Sequence, residues 1–204
     1  MLRVRPSIRG FTLIEMLVGM TIAGILLALG FPSITAYLQS SKLASASQSY
    51  LSGVQIARTE AIRRNAQVQF VLTNTPVETA DIANVAAPST AGQNWIVRWF
   101  DTTLLPPAFV LIESKAAAEG SVSTAPSVQI IGTAAPTPFT GIIAFNGFGA
   151  TSNQDAFQLD MSNPAGGACA PAGPMQCPRI QVPSGGLVHL CNPLVLAAND
   201  SRGC

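Results

Sequence analysis

From Phe11 to Leu29 every residue is apolar or alanine except Thr12, Glu15, Gly19, Thr21 and Gly24. A run of about 20 such residues, at helical rise, is long enough to cross a bilayer core. Further on the pattern becomes one-sided. Leu43, Ala46, Tyr50, Val54, Ala57 and Ala61 recur at three- and four-residue spacing, with Leu51 and Ile62 widening the stripe. Ser45, Gln48, Ser52, Gln55, Thr59 and Arg63 fill the other face. That is an amphipathic helix whose stripe must be buried against something. Together the two patterns predict one helix from Phe11 to about Asn65, roughly 80 Å long. Pro32 lacks an amide donor and is expected to kink or loosen it.

After Asn65 the period changes from 3.6 to 2. The stretch AQVQFVLT puts Val68, Phe70 and Leu72 on one face. NWIVRWFD, AFVLIES, SVQIIG, GIIAFNGFGA, DAFQLDM and the run from RIQV to LVHLC follow as short strand-like segments between Gly, Pro and Asn punctuation. About seven strands with hairpin-length gaps imply one antiparallel sheet or two small ones. Thr79 to Gln93 and Ser162 to Pro178 read as loops. The expected class is α+β: a long helical spine, apolar then amphipathic, packed on an antiparallel β-sheet head. The expected organisation is a leader at 1–10, a hydrophobic helix half at 11–38, an amphipathic half at 39–65 and a β-rich head at 66–204.

Charge adds an orientation. Arg3, Arg5 and Arg9 precede the apolar run with no acid among them, which by the positive-inside rule keeps the N-terminus in the cytoplasm and exports the rest. Glu15 then stands out, because intramembrane carboxylates are costly and tend to be functional. Over all 204 residues the net charge is +1 and only 10% of residues are charged. No basic surplus points to nucleic acid, and 48% hydrophobic content argues against disorder. Cys169, Cys177, Cys191 and Cys204 lie together near the C-terminus. In an exported domain an even count favours disulfides. Three connectivities are open, and pairing sequence neighbours, Cys169–Cys177 and Cys191–Cys204, closes the shortest loops. With neither CxxC nor a histidine cluster, no metal site is expected.

No catalytic constellation emerges. The chain has one histidine and no GxSxG, HExxH or P-loop. Asp155 and Asp160 flank a strand segment but are five apart and face opposite ways. Neither an enzyme nor a cofactor is expected.

Gly10, Phe11, Thr12, Leu13, Ile14 and Glu15, behind a short basic leader and ahead of an apolar span, closely resemble the processing site of type IV prepilins. The resemblance implies a pilin fold, cleavage after Gly10 by a prepilin peptidase and methylation of the new N-terminal Phe11. It also implies pairing of Glu15 with a neighbouring subunit's Phe11 amine, which would set register in an otherwise featureless apolar bundle. The segments ARTEAIRRN, IIAFNGFGAT and PRIQVPSGGLVHLC resemble minor pilins of the FimT/FimU type and the related GspH-type minor pseudopilins. The expected role is that of a minor pilin in a tip complex that primes pilus assembly. Its partners would be other minor and major pilins, the prepilin peptidase and the inner-membrane assembly platform. It would cross the inner membrane once with a periplasmic head, then move to the pilus on the cell surface. The alternatives are a minor pseudopilin of a type II secretion system and a DNA-binding minor pilin for natural transformation. Some FimT-type pilins bind DNA through Gly-Arg-x-Arg on the last hairpin. Here that stretch is Gly186, Leu187, Val188, His189, with both arginines missing, and only Arg179 and Arg202 remain near it. Phosphate binding needs fixed positive charge, so DNA is not the expected partner.

Overall fold

The computed structural model describes residues 11–116, 125–131, 139–195 and 200–204, without the side chains of residues 29–33, 129, 131 and 165. The chain divides into two compact units, one ending at Tyr37 and the other beginning at Leu38.

Helix α1 spans Leu13–Arg64. In the first unit it is apolar on every side, and those side chains are uncovered: Leu13, Ile14, Leu17, Met20, Ile25 and Leu27 are all exposed. Among the described residues no helix is long and apolar enough to cross a membrane, whereas the sequence pattern predicts a span. The described apolar side chains of α1 run only from Leu13 to Ala28, short of the roughly 20 residues a bilayer core requires. Residues 29–33 would carry the run further, and their side chains, including that of Pro32, lie outside the description.

In the second unit the amphipathic stripe is covered. Leu43, Ala46, Tyr50, Val54, Ala57 and Ala61 are at most 6% exposed. The helix stops at Arg64 because Asn65 turns left-handed, at φ 47°. Its amide bonds to the Ile62 carbonyl at 3.2 Å, and the Ala66 amide reaches the Ala61 carbonyl at 3.2 Å. That is a Schellman ending with asparagine in the place usually taken by glycine. Arg63 and Arg64 in the last turn suit the negative end of the helix dipole, and both grip Glu60, at 2.6 and 2.9 Å.

Two four-stranded sheets cover the stripe, and every pairing is antiparallel. The first has β1 (Val68–Thr73), β2 (Asn94–Asp101), β3 (Ala108–Lys115) and β5 (Ile142–Phe145), ordered β3-β2-β1-β5. The second has β4 (Ala125–Ile131), β6 (Ala156–Ser162), β7 (Arg179–Val182) and β8 (His189–Cys191), ordered β4-β6-β7-β8. Alternation sends Val68, Phe70 and Leu72 of β1, Phe157, Leu159 and Met161 of β6, and Ile180 and Val182 of β7 into one core with the helix stripe. Gly53 lets the helix approach closely: a Cβ there would stand 2.8 Å from the Phe70 ring and 3.0 Å from that of Trp95.

One expectation needs revision. The segment after β1, read as a loop, contains a short helix α2 (Ile82–Val85). Ile82 and Ala86 join Val71 and Ile96 in a second apolar cluster on the other face of the first sheet. Burial of those apolar residues outweighs the poor helical signal of their polar and proline-containing neighbours. The final run forms the expected hairpin, with Gly186 at φ 77° in the turn between β7 and β8, so the described residues hold eight strands.

Candidate processing and assembly site

Three places carry the residues singled out by sequence: the start of α1, the cysteine-bearing C-terminal loops, and the turn between β7 and β8.

Gly10 lies outside the described residues. Phe11 is 82% exposed. Next to it, Thr12 and Glu15 form a reciprocal cap. The Glu15 amide donates to the Thr12 hydroxyl at 3.3 Å, while the Glu15 carboxylate accepts from the Thr12 amide at 3.2 Å and its hydroxyl at 3.1 Å. This capping box satisfies amides at the helix start that have no partner within the helix. The sequence signal for it is Thr-x-x-Glu before an apolar run. Glu15 remains exposed. An ionised carboxylate offers about four acceptor sites, so a cation from outside the chain can be accepted while the cap persists.

At the other end Cys169 is bonded to Cys177 and Cys191 to Cys204. The first bond closes the Ser162–Pro178 loop, which also carries a 3-10 turn at Pro164–Gly166. The second ties the last residue to β8, beside a backbone bond from the Asn192 amide to the Arg202 carbonyl at 2.7 Å.

Leu187 in the β7–β8 turn and His189 at the start of β8 are exposed. The two arginines near it are committed to acids. Arg179 grips Asp160 with Nε at 2.6 Å and a terminal nitrogen at 3.3 Å, so Asp160 is an ion-pair partner on the sheet. Arg202 holds Asp200 at 2.6 Å.

In ARTEAIRRN the i, i+4 spacing of Glu60 and Arg64 predicts their surface pair, which forms at 2.9 Å, but the other contacts of these arginines are not legible in the sequence. Arg58 donates Nε to the Gly149 carbonyl at 3.0 Å, and Arg64 lies over the Trp99 ring, 4.6 Å from its centroid. Arg98 was also missed. It is 6% exposed and donates to the Ala83 carbonyl at 2.7 Å and the Gln69 side chain at 3.1 Å. It also covers the Phe109 ring at 4.1 Å. Burial pushes its pKa below the usual arginine range. It pins α2 onto the first sheet. Among the described residues no group of His, Cys, Asp and Glu is placed to hold a metal ion.

Two family models match the chain. The prokaryotic N-terminal methylation motif covers residues 5–31, which include Gly10, Phe11 and Glu15. The family described as type II transport protein GspH covers residues 46–173, more than half of the chain. The chain belongs to the GspH family. The members of this pilin and pseudopilin family are structural proteins, and this GspH-family chain carries the methylation motif ahead of its family domain. Solved structures similar to it include the type IV minor pilin FimU of Pseudomonas aeruginosa. That match has 10% identity, covers 76% of this chain and 91% of that one, and has a TM-score of 0.48. Another is the minor pseudopilin EpsH from the Type 2 Secretion System of Vibrio cholerae, at 12% identity, 76% and 98% coverage and a TM-score of 0.45. Among curated protein sequences none is significantly similar to the chain.

Proposed function

We propose that this chain is a minor pilin of a type IV pilus, part of a tip complex that primes filament assembly. The observation that supports this most directly is the first half of α1. Its apolar side chains are exposed in the isolated chain, and they follow a prepilin-type methylation motif. An exposed apolar patch far larger than a few hundred Å² calls for lipid or a protein partner. In this reading residues 1–10 are a leader cut after Gly10 by a prepilin peptidase, and Phe11 is N-methylated. Residues 11–38 wait in the inner membrane with the head in the periplasm, then pack among other pilins on an inner-membrane assembly platform. Residues 39–65 hold the head at 66–204. Glu15 sets register by accepting a neighbour's Phe11 amine, and Pro32 loosens the helix between its two halves.

The second reading is a minor pseudopilin of a type II secretion system, which the description of the matching family favours. One deletion strain separates the two. A pilus role predicts loss of surface filaments with exoprotein secretion unchanged, and a pseudopilin role predicts the reverse. DNA capture has little support: Leu187 and His189 stand where the DNA-binding motif carries arginine, and Arg179 and Arg202 are neutralised by Asp160 and Asp200. A gel-shift at low salt is expected to show no retention.

A further inference from the structure

Three segments distant in sequence converge at the end of α1. A Cβ placed on Gly149 would lie 2.7 Å from Ile62 Cδ1 and 3.3 Å from Arg58 Nε. A Cβ on Gly186 would overlap the Gly149 carbonyl oxygen and lie 3.2 Å from Arg58 Nε. Only glycine at both positions, each with positive φ, lets the two turns meet over the helix.

Around this junction stand large apolar side chains in water: Phe148 is 89% exposed, Leu187 68% and Ile62 47%. The backbone that carries Phe148 is fixed by hydrogen bonds. Its amide and that of Ala150 donate to the Asn146 side chain at 3.0 and 3.2 Å, and the Gly149 amide bonds to the Asn146 carbonyl at 2.8 Å. The Thr151 amide then ties this turn to Ser184 of the neighbouring turn at 3.0 Å. Nothing in the folding of the head calls for a phenylalanine on a rigid turn pointing into solvent. An aromatic side chain on a fixed backbone has only two torsions to order on binding, which lowers the cost.

The charge beside these residues narrows the occupant. Arg58 spends Nε on Gly149, and among the described residues no carboxylate pairs with it, whereas Arg63, Arg64, Arg179 and Arg202 each have one. A segment that covers Phe148, Leu187 and Ile62 also removes water from the Arg58 guanidinium, so it must return an acceptor, best a carboxylate. A phosphate backbone fits poorly, since it offers little to three apolar side chains.

We propose that Phe148, Leu187 and Ile62, carried by the three segments that meet at Arg58, form the docking surface for an apolar segment bearing a carboxylate on the head of another pilin-type subunit. This rests on the assembly role proposed above. Three side chains expose on the order of a few hundred Å² of apolar surface, the anchor of an interface and not its full area of roughly 800 Å² per partner.

The test is photo-crosslinking of the full chain in its host, with a photoreactive residue at Leu187 and, separately, at Leu17 in the apolar half of α1. Cross-linked peptides are sequenced by mass spectrometry. The Leu187 probe is expected to capture a peptide containing Asp or Glu from the head of a protein that has its own methylation motif. Phe148→Ser, at an exposed position that leaves the fold intact, is expected to lower that yield at least tenfold, the size of an anchor truncation. Capture at Leu17 alone, or a Leu187 yield unchanged by Phe148→Ser, would overturn the docking surface and leave the assembly role standing. No pilin captured at either position would overturn both.

Discussion

The carboxylate of Glu15 accepts hydrogen bonds from both the amide and the hydroxyl of Thr12, at 3.2 and 3.1 Å. The residue that looks out of place in an apolar run therefore has a role inside its own chain, as one half of the cap that starts α1. A register-setting role between subunits has to be separated from this local one.

Thr12→Ala makes the separation. It removes the hydroxyl and costs the helix start about 0.5–2 kcal/mol, but keeps the carboxylate. Glu15→Ala removes both roles. If Glu15 pairs with a neighbour's Phe11 amine, Thr12→Ala is incorporated into sheared filaments near the wild-type level while Glu15→Ala stays in the membrane fraction. Equal impairment of the two variants would mean that Glu15 acts only as a cap.

A second prediction concerns the entry to β2. A Cβ on Gly92 would overlap the Thr73 amide nitrogen and lie 2.7 Å from the Leu72 carbonyl carbon. Backbone cannot rotate away as a side chain can. Gly92→Ala is expected to destabilise the head by roughly 1–3 kcal/mol, or about 2–4 °C in Tm per kcal/mol for a chain of this size. Thermal melts of the two proteins check this, and an unchanged melt would contradict the packing described at that turn.

Much of this fold could be read from the chain because its signals are local. The stripe from Leu43 to Ala61 lies on one helical face, and Val68, Phe70 and Leu72 alternate, so each predicts its own burial. Helix α2 could not be read that way. Its residues are helical because Ile82 and Ala86 meet Val71 and Ile96, partners from β1 and β2 that no short window contains. The Arg58–Gly149 bond joins residues 91 apart in sequence, and the docking surface depends on it. At the start of α1 the Thr12–Glu15 cap is legible as Thr-x-x-Glu, and the same carboxylate can satisfy a local rule and a functional one together.

The disulfide at Cys191–Cys204 spans a sequence separation of 13. Closing a loop of about 15 residues is worth ~3 kcal/mol in the chain-entropy model. Cys204→Ser is expected to lower stability by about 2–4 kcal/mol and to open residues near the C-terminus to limited proteolysis. Peptide mapping without reductant is expected to recover Cys191 with Cys204 and Cys169 with Cys177. Crossed pairs would refute the arrangement.

Two half-buried carboxylates give a pH signature. Hydrogen bonds from the Arg202 side chain and amide hold Asp200 down to about 2. Hydrogen bonding from Arg63, and then from Arg64, holds Glu60 below its usual range. A carboxylate whose folded pKa is depressed contributes stability above its unfolded value and loses it as pH falls through the folded value. The C-terminal turn and the end of α1 are therefore expected to keep this contribution at about pH 5 and to lose it as pH falls through each folded value, which for Asp200 is about 2. Carboxyl NMR titration checks this: Arg202→Ala removes the side-chain bonds but keeps the amide bond, and is expected to raise the Asp200 midpoint toward the ordinary value of about 3.9 without fully reaching it. A wild-type Asp200 midpoint already in that range would contradict the ion pair.

The central claim is that this chain is a prepilin-type subunit, cut and modified before assembly. Mass analysis of the N-terminal peptide from protein recovered in the filament fraction tests it most directly. The expected peptide begins at Phe11 and carries one methyl group on its amine. A mature protein that begins at any other residue, or an intact leader in assembled material, would contradict the account.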